Sequence, residues 1–216
     1  VTRSIAEWQK ISFENAHKHG FHSRECLDHV RVTGVNTECP RCNGTGQVEV
    51  DHKSPTRIAS RLALIHCEIS EAVECVVRGR MELYWEPTQG PSYTAAYPAA
   101  PWHKPEGFGI ELADVFLRLC DLAESLGVEL NLERDTIPAR PDLGTEAAVA
   151  RLGYLHELVP TCERAEDERR RPRYLNSLLS ELFLVADSHN IDLLAMAELK
   201  HEYNVTRPYM HGGKLL

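Results

Sequence analysis

The chain has 216 residues, 43% of them hydrophobic and 7% aromatic, which supplies one substantial core or two small ones and is ordinary for a globular protein. A net charge of -8 with a pI near 5.8 argues against a general grip on nucleic acid, which needs dense Lys and Arg to displace counterions; the run Arg169-Arg170-Arg171 reads as a solvated linker. No apolar stretch approaches the roughly 20 residues of a membrane helix, and the first segment, VTRSIAEWQK, is too charged for a secretory signal. Cysteine is present in odd number, and Cys67, Cys75 and Cys120 sit in apolar helical patterns, so the expectation is a cytoplasmic protein with reduced core thiols.

Residues 2 to 19 carry Ile5, Trp8, Ile11 and Ala16 on a helical spacing, with a stop at His19-Gly20-Phe21. From His22 to Lys53, alternating valines, two glycines flanking Thr45 and few helix formers predict a small β-hairpin inserted between helices. The helical period returns at Ser54-Pro55, with Ile58, Leu62, Ile65, Ile69, Ala72, Val73 and Val76 on one face as far as Gly79. Residues 80 to 109 are rich in Pro, Gly, Tyr and Trp without helical period, which fits a lid or binding loop, or else a disordered insertion. A third helix, IELADVFLRLCDLAESLG, stops at Gly127; beyond PARPDLG come helical patterns at about 145 to 159 and 173 to 189, then IDLLAMAELKHEYN up to Arg207-Pro208. The expected class is all-α with a small β insertion.

Within the second helix, Glu68 and Glu71 are three apart and project from one face, and Glu74 continues the row; Glu111 and Asp114 repeat the spacing on the third helix. Two antiparallel helices facing these pairs would gather four carboxylates around one point, and their repulsion would loosen the bundle unless a cation sat between them. Hard oxygen ligands at that density suit Mg²⁺ or Mn²⁺, and Mg²⁺ shares its coordination with substrate phosphates. Such spacings are also common on solvated helix faces; what favours a metal is the apolar company these acids keep.

EISE, ELAD, the following DLAESLGVEL and the C-terminal KHEYNVTRPYMHGGK together resemble the MazG-like all-α nucleoside triphosphate pyrophosphatases, in particular their phage-type members, over about two thirds of the chain. The resemblance implies a MazG-like antiparallel helical bundle that cleaves an NTP or dNTP to its monophosphate and pyrophosphate with Mg²⁺, and a homo-oligomer. Glu68, Glu71, Glu111 and Asp114 take the metal positions, with one of Glu68 and Glu71 accepting the proton of the attacking water. Lys200, Asn204, Arg207, His211 and Lys214 in the tail are then candidate phosphate and sugar contacts. A basic C-terminus that only complements a helix dipole is the plainer alternative, but it does not require the order Tyr203, Asn204, Arg207, Pro208, Gly212.

Three features depart from that pattern. The 39 residues between Glu71 and Glu111 are more than the family spacing, and Tyr84, Trp85, Tyr93, Tyr97 and Trp102 in the excess are placed to cover a base. In the hairpin, Cys26-x2-His29 and, nine residues on, Cys39-x2-Cys42 offer four ligands at knuckle spacing for structural Zn²⁺, with His22 or His52 as alternative partners. Finally, DLAESLGVEL at 121 to 130 aligns with LVADSHNIDL at 184 to 193, and Arg140-Pro141 with Arg207-Pro208. In that second copy Tyr154 or Leu155 and Leu158 stand for Glu68 and Glu71, and Tyr174 and Ser177 for Glu111 and Asp114; the alternative is that any two amphipathic helices align this well.

The organisation expected is a catalytic half over 1–21 and 53–133, a zinc-knuckle insertion over 22–52, and a degenerate second repeat with a phosphate-binding tail over 134–216. The acids would come from the first half and the cations from the second. Two other functions fit less of the sequence. A non-catalytic zinc-containing helical binding module leaves the acids and the tail without a purpose. A carboxylate-bridged dimetal oxidoreductase needs Glu-x-x-His from two helices, and only Glu198-Leu-Lys-His201 qualifies.

Overall fold

Helix boundaries follow the local chemistry of the chain. In the computed structural model, which describes residues 3–25, 47–49, 51–87, 103–132, 144–163 and 169–207, helix α1 spans Ile5–Lys18. It opens on a reciprocal cap: Ser4 Oγ accepts the Glu7 amide at 3.3 Å, and Glu7 Oε2 accepts the Ser4 amide at 2.7 Å. Helix α2, Pro55–Val77, starts with proline in its first turn, where the missing N–H is no loss. Helix α3, Phe108–Leu126, is closed by Gly127 in the left-handed conformation at φ 69°. Helices α4 (Thr145–Glu163), α5 (Arg171–Ser188) and α6 (Leu193–Val205) follow, α6 capped by the Asp192 side chain accepting the Ala195 amide.

The all-α class stands, with one difference in extent. Helix α4 runs past the expected end at 159 and carries Pro160 inside it. Proline's fixed φ suits a helix and its ring removes one N–H, which the packing of Leu155, Val159 and Cys162 into the core outweighs.

Two short antiparallel pairs accompany the helices. Strand β1, Ser23–Glu25, pairs with β2, Gln47–Glu49, so the insertion does close as a hairpin stem; Cys26, His29, Cys39 and Cys42 lie outside the described residues. Strand β3, Tyr84–Pro87, pairs with β4, His103–Glu106, in register Tyr84 opposite Glu106. The stretch expected as a loop from 80 to 109 is thus strand at both its described ends, too short for a periodic signal to register; Tyr93, Tyr97 and Trp102 lie outside the described residues.

Helix α3 is the axis of the molecule. It packs against α1, α2, α5 and α6, while α4 lies across α2 and α5. Buried side chains cover most of its surface, and one hydrophobic cluster joins Trp8, Leu62, Phe116, Leu152, Phe183 and Ala197, so both halves of the sequence share a core. Phe116 takes edge-on contacts from Trp8 and Phe183 at centroid distances of 5.8 and 6.0 Å. Two glycines allow close approaches at the start of α3. Gly107, at φ 118°, passes under the Glu82 carbonyl, which a Cβ would meet at 2.3 Å; a Cβ on Gly109 would meet Met196 of α6 at 3.1 Å.

Cys75, Cys120 and Cys162 are buried free thiols. Cys67 is exposed, against the expectation of a core thiol, because its position on α2 faces away from α3 and α4.

Candidate functional site

Because the start of α3 is largely enclosed, acids on its first turns have little access to bulk water. Glu111 is 3% exposed, and facing it on α2 are Glu68, 7% exposed, and the exposed Glu71. One carboxylate oxygen from each of these three lies within 4.8 Å of the other two, and the group could hold a metal ion. Glu74 is outside the cluster; it is exposed and pairs with Arg78 at 2.8 Å. Glu198 meets Arg3 and does not belong to any metal-competent group among the described residues.

Asp114 lies one turn beyond Glu111 and has a protein cation for a partner. Lys200 Nζ, from α6, stands 2.5 Å from its Oδ2, and Lys200 is only 3% exposed. The C-terminal helix therefore folds back onto the acids of its own chain. Two cations that the sequence did not single out complete the ring: Arg118 donates from Nε to Glu68 Oε1 at 2.5 Å, and Lys104 of β4 pairs with the buried Glu106. Arg118 had a sequence signal, being the one cation of its helix and four residues from Asp114. Lys104 and Glu106 had none, since only the strand pairing brings them to α3.

The electrostatics show how far these cations fall short. Burial, and then the neighbouring Asp114 charge, push the Glu111 carboxyl up to about 9 in spite of Lys200. Glu68 is raised by burial first and by Asp114 second, with Arg118 opposing. In the cluster, the five carboxylates of Glu68, Glu71, Glu106, Glu111 and Asp114 face the three cations Lys104, Arg118 and Lys200. With all five ionised the excess would be two negative charges, the deficit one divalent cation would fill; in the metal-free protein, protonation of Glu111 relieves part of it.

These groups open onto a cleft of ≈ 260 Å³ between α1, α2, α3 and α6. Glu68, Glu71 and Asp114 line it on one side, and Lys200, Asn204 and Arg207 on another, so three of the five predicted tail contacts face the acids. His211 and Lys214 lie outside the described residues. The Asn204 Oδ1 atom is buried without a hydrogen-bond partner among the described residues, a group ready for a ligand. Helix α1 adds Ser12 and Asn15, which sequence reading passed over because polar residues on the inner face of a surface helix carry no distinguishing pattern.

No family model, no curated protein and no solved structure matches this chain.

The aligned second half differs in chemistry at the equivalent place. Tyr154, Leu158 and Ser177 line a separate open cleft between α4 and α5 that holds Glu181 as its one carboxylate, paired with Arg151 at 2.8 Å. The residues that close the two aligned helices, Gly127 and Asn190, both take positive φ, 69° and 56°. No described helix is long and apolar enough to cross a membrane.

Proposed function

We propose that this chain is a divalent-metal-dependent nucleoside triphosphate pyrophosphohydrolase, similar to the MazG-like enzymes, that cleaves an NTP or dNTP to the monophosphate and pyrophosphate. The observation that carries the reading is a three-carboxylate group, the buried Glu68 and Glu111 with the exposed Glu71, of which Glu68 and Glu71 line a cleft that also presents Lys200, Asn204 and Arg207. Acids that would repel a polyphosphate stand beside cations that would attract one, an arrangement that suits a metal–nucleotide complex.

Mg²⁺ or Mn²⁺ held by Glu68, Glu71 and Glu111 would neutralise the phosphates and acidify a water. The rest falls to the chain. Arg118 holds Glu68 in place, whereas Glu71 is exposed and has no ion pair among the described residues, so Glu71 is the carboxylate free to take the proton of the attacking water. Lys200 stands at Asp114 ready to meet charge developing on the leaving pyrophosphate. Asn204 Oδ1 and Asn15 are placed to accept from or donate to sugar and base. The halves of the sequence then contribute complementary parts of one site, the acids coming from α2 and α3 and the cations from α6, as a repeat that has diverged would provide. Two further parts of the reading, structural zinc in the insertion and a homo-oligomer, rest on the sequence.

Anion-exchange separation of products from each NTP and dNTP, with Mg²⁺ and with chelator, tests the proposal. Monophosphate with pyrophosphate in the metal-containing reactions alone is the expected result; release of orthophosphate, or turnover indifferent to chelator, rejects it.

A further inference from the structure

Beside the cleft, and sharing Arg118 and Asp121 with it, lies a second recess of ≈ 70 Å³ between the end of α1 and the first turns of α2. We propose that this recess is a phosphate subsite, built to take one phosphate group next to the metal-binding acids. Its volume is roughly a quarter of the cleft's, which suits a single phosphate group rather than a whole nucleotide. Its polar lining is His22, Arg57, Ser60, Arg61, Arg118 and Asp121.

Charge is the first reason. Three guanidinium groups meet at the recess and only one carboxylate lines it, Asp121. That carboxylate is already shared, with Oδ1 2.8 Å from His22 Nε2 and Oδ2 4.0 Å from Arg61. Arg118 is engaged by Glu68, on the cleft side. Arg57 has no carboxylate partner among the described residues, and it stands four residues before Arg61 on the same face of α2, a like-charge pair that destabilises a helix unless an anion lies between. Burial lowers the Arg61 pKa most, and the Arg57 charge lowers it further against the pull of Asp121.

The second reason is a buried imidazole without a hydrogen-bond partner among the described residues, beside Arg61, which is already held by Ser125 Oγ and His52 Nδ1. His22 is 1% exposed and lines the recess, and its Nδ1 has no hydrogen-bond partner among the described residues. Its Nε2 lies near Asp121 without the alignment of a hydrogen bond. Ser60 is exposed at the rim and its hydroxyl already donates to the Thr56 carbonyl, so it adds no free donor to the recess. Guanidinium forks and an imidazole around a small void match the several acceptor oxygens of a phosphate.

Two sources can supply that phosphate: free orthophosphate or pyrophosphate, or a second phosphate elsewhere on a bound nucleotide, such as one on the 3′ oxygen. The link to a nucleotide rests on the pyrophosphohydrolase reading; phosphate binding by the recess does not. Calorimetric titration of orthophosphate and pyrophosphate into protein prepared without Mg²⁺ or Mn²⁺, and without chelator so that any zinc in the insertion is kept, isolates the recess from binding through the acid cluster. One saturable equivalent per chain is expected, weakened at least about tenfold in Arg57→Ala and Arg57→Glu, the scale of one lost charge-assisted hydrogen bond. In the unsubstituted protein, phosphate should also move the His22 ring resonance, a readout that needs no variant. Absence of saturable binding, or binding and His22 shift that are both indifferent to Arg57, overturns the proposal.

Comparing a nucleoside triphosphate with its 3′-phosphorylated form separates the sources. Tighter binding of the latter, lost in the Arg57 variants, assigns the recess to a second phosphate of the nucleotide. Equal binding of the two, with inorganic phosphate still dependent on Arg57, assigns it to free phosphate. A protein that binds phosphate through Arg57 yet hydrolyses no nucleotide keeps the recess and loses the enzyme reading; hydrolysis without Arg57-dependent binding does the reverse.

Discussion

The Lys200 ammonium lies 2.5 Å from the Asp114 carboxylate, and that contact ties the last helix to the first turns of the central one. Lys200 is nearly inaccessible and Asp114 is mostly enclosed, so each charge depends on the other. Lys200→Met should destabilise the metal-free protein by about 3 kcal/mol, the lower end for breaking a buried pair. Asp114→Asn in the same chain should recover at least about 1 kcal/mol of that loss as coupling. Urea unfolding of the two single variants and the double variant measures it; additive effects would show that the pair is not coupled.

Glu71→Gln removes one metal charge at nearly constant volume from an exposed position, so the fold should persist. Turnover of the best nucleotide should fall by at least about a hundredfold, the scale of a lost general base. Circular dichroism together with kcat/KM decides between loss of chemistry and loss of structure. A variant that folds and retains full activity would remove Glu71 from the mechanism.

The raised Glu111 carboxyl gives the metal-free protein a definite dependence on pH. Its value is 4.5 when unfolded and about 9 when folded, so between these the native state holds a proton that the unfolded state has released. Stability from this group is therefore greatest below 4.5 and declines as pH rises through 9. Mg²⁺ favours the ionised carboxylate and should flatten the decline. Tm in chelator should fall from about pH 5 to about pH 8.5 and do so less with Mg²⁺; a metal-free Tm that rises with pH over that window would contradict the buried acid cluster.

The paired Cys26-x2-His29 and Cys39-x2-Cys42 predict one zinc per chain in protein prepared without added zinc. Metal analysis by mass spectrometry should find it, and Cys39→Ser should lower both the zinc content and the thermal stability while leaving kcat at saturating Mg²⁺ little changed. A sub-stoichiometric content that Cys39→Ser does not alter would leave these residues as free thiols.

By itself the sequence determined the helices, most of their ends and three carboxylates that could hold a cation. Ser4 with Glu7, Ser54-Pro55 and Gly127 act over one helical turn, and the apolar period of α2 and α3 acts over a few, so short-range chemistry suffices to place them. Glu68, Glu71 and Glu111 were legible for the same reason, their spacing setting which face of a helix each occupies. Tertiary structure alone decided what these acids meet. The path of β4 brings Lys104 and Glu106 beside α3, and the close crossing of α6 at Gly109 brings Lys200 to Asp114. The burial of the first turn of α3 raises Glu111, and its packing against α2 makes Arg118 the partner of Glu68. Packing angles between helices and the depth to which each charge sinks depend on the whole core at once, and residue spacing along one helix carries no record of them.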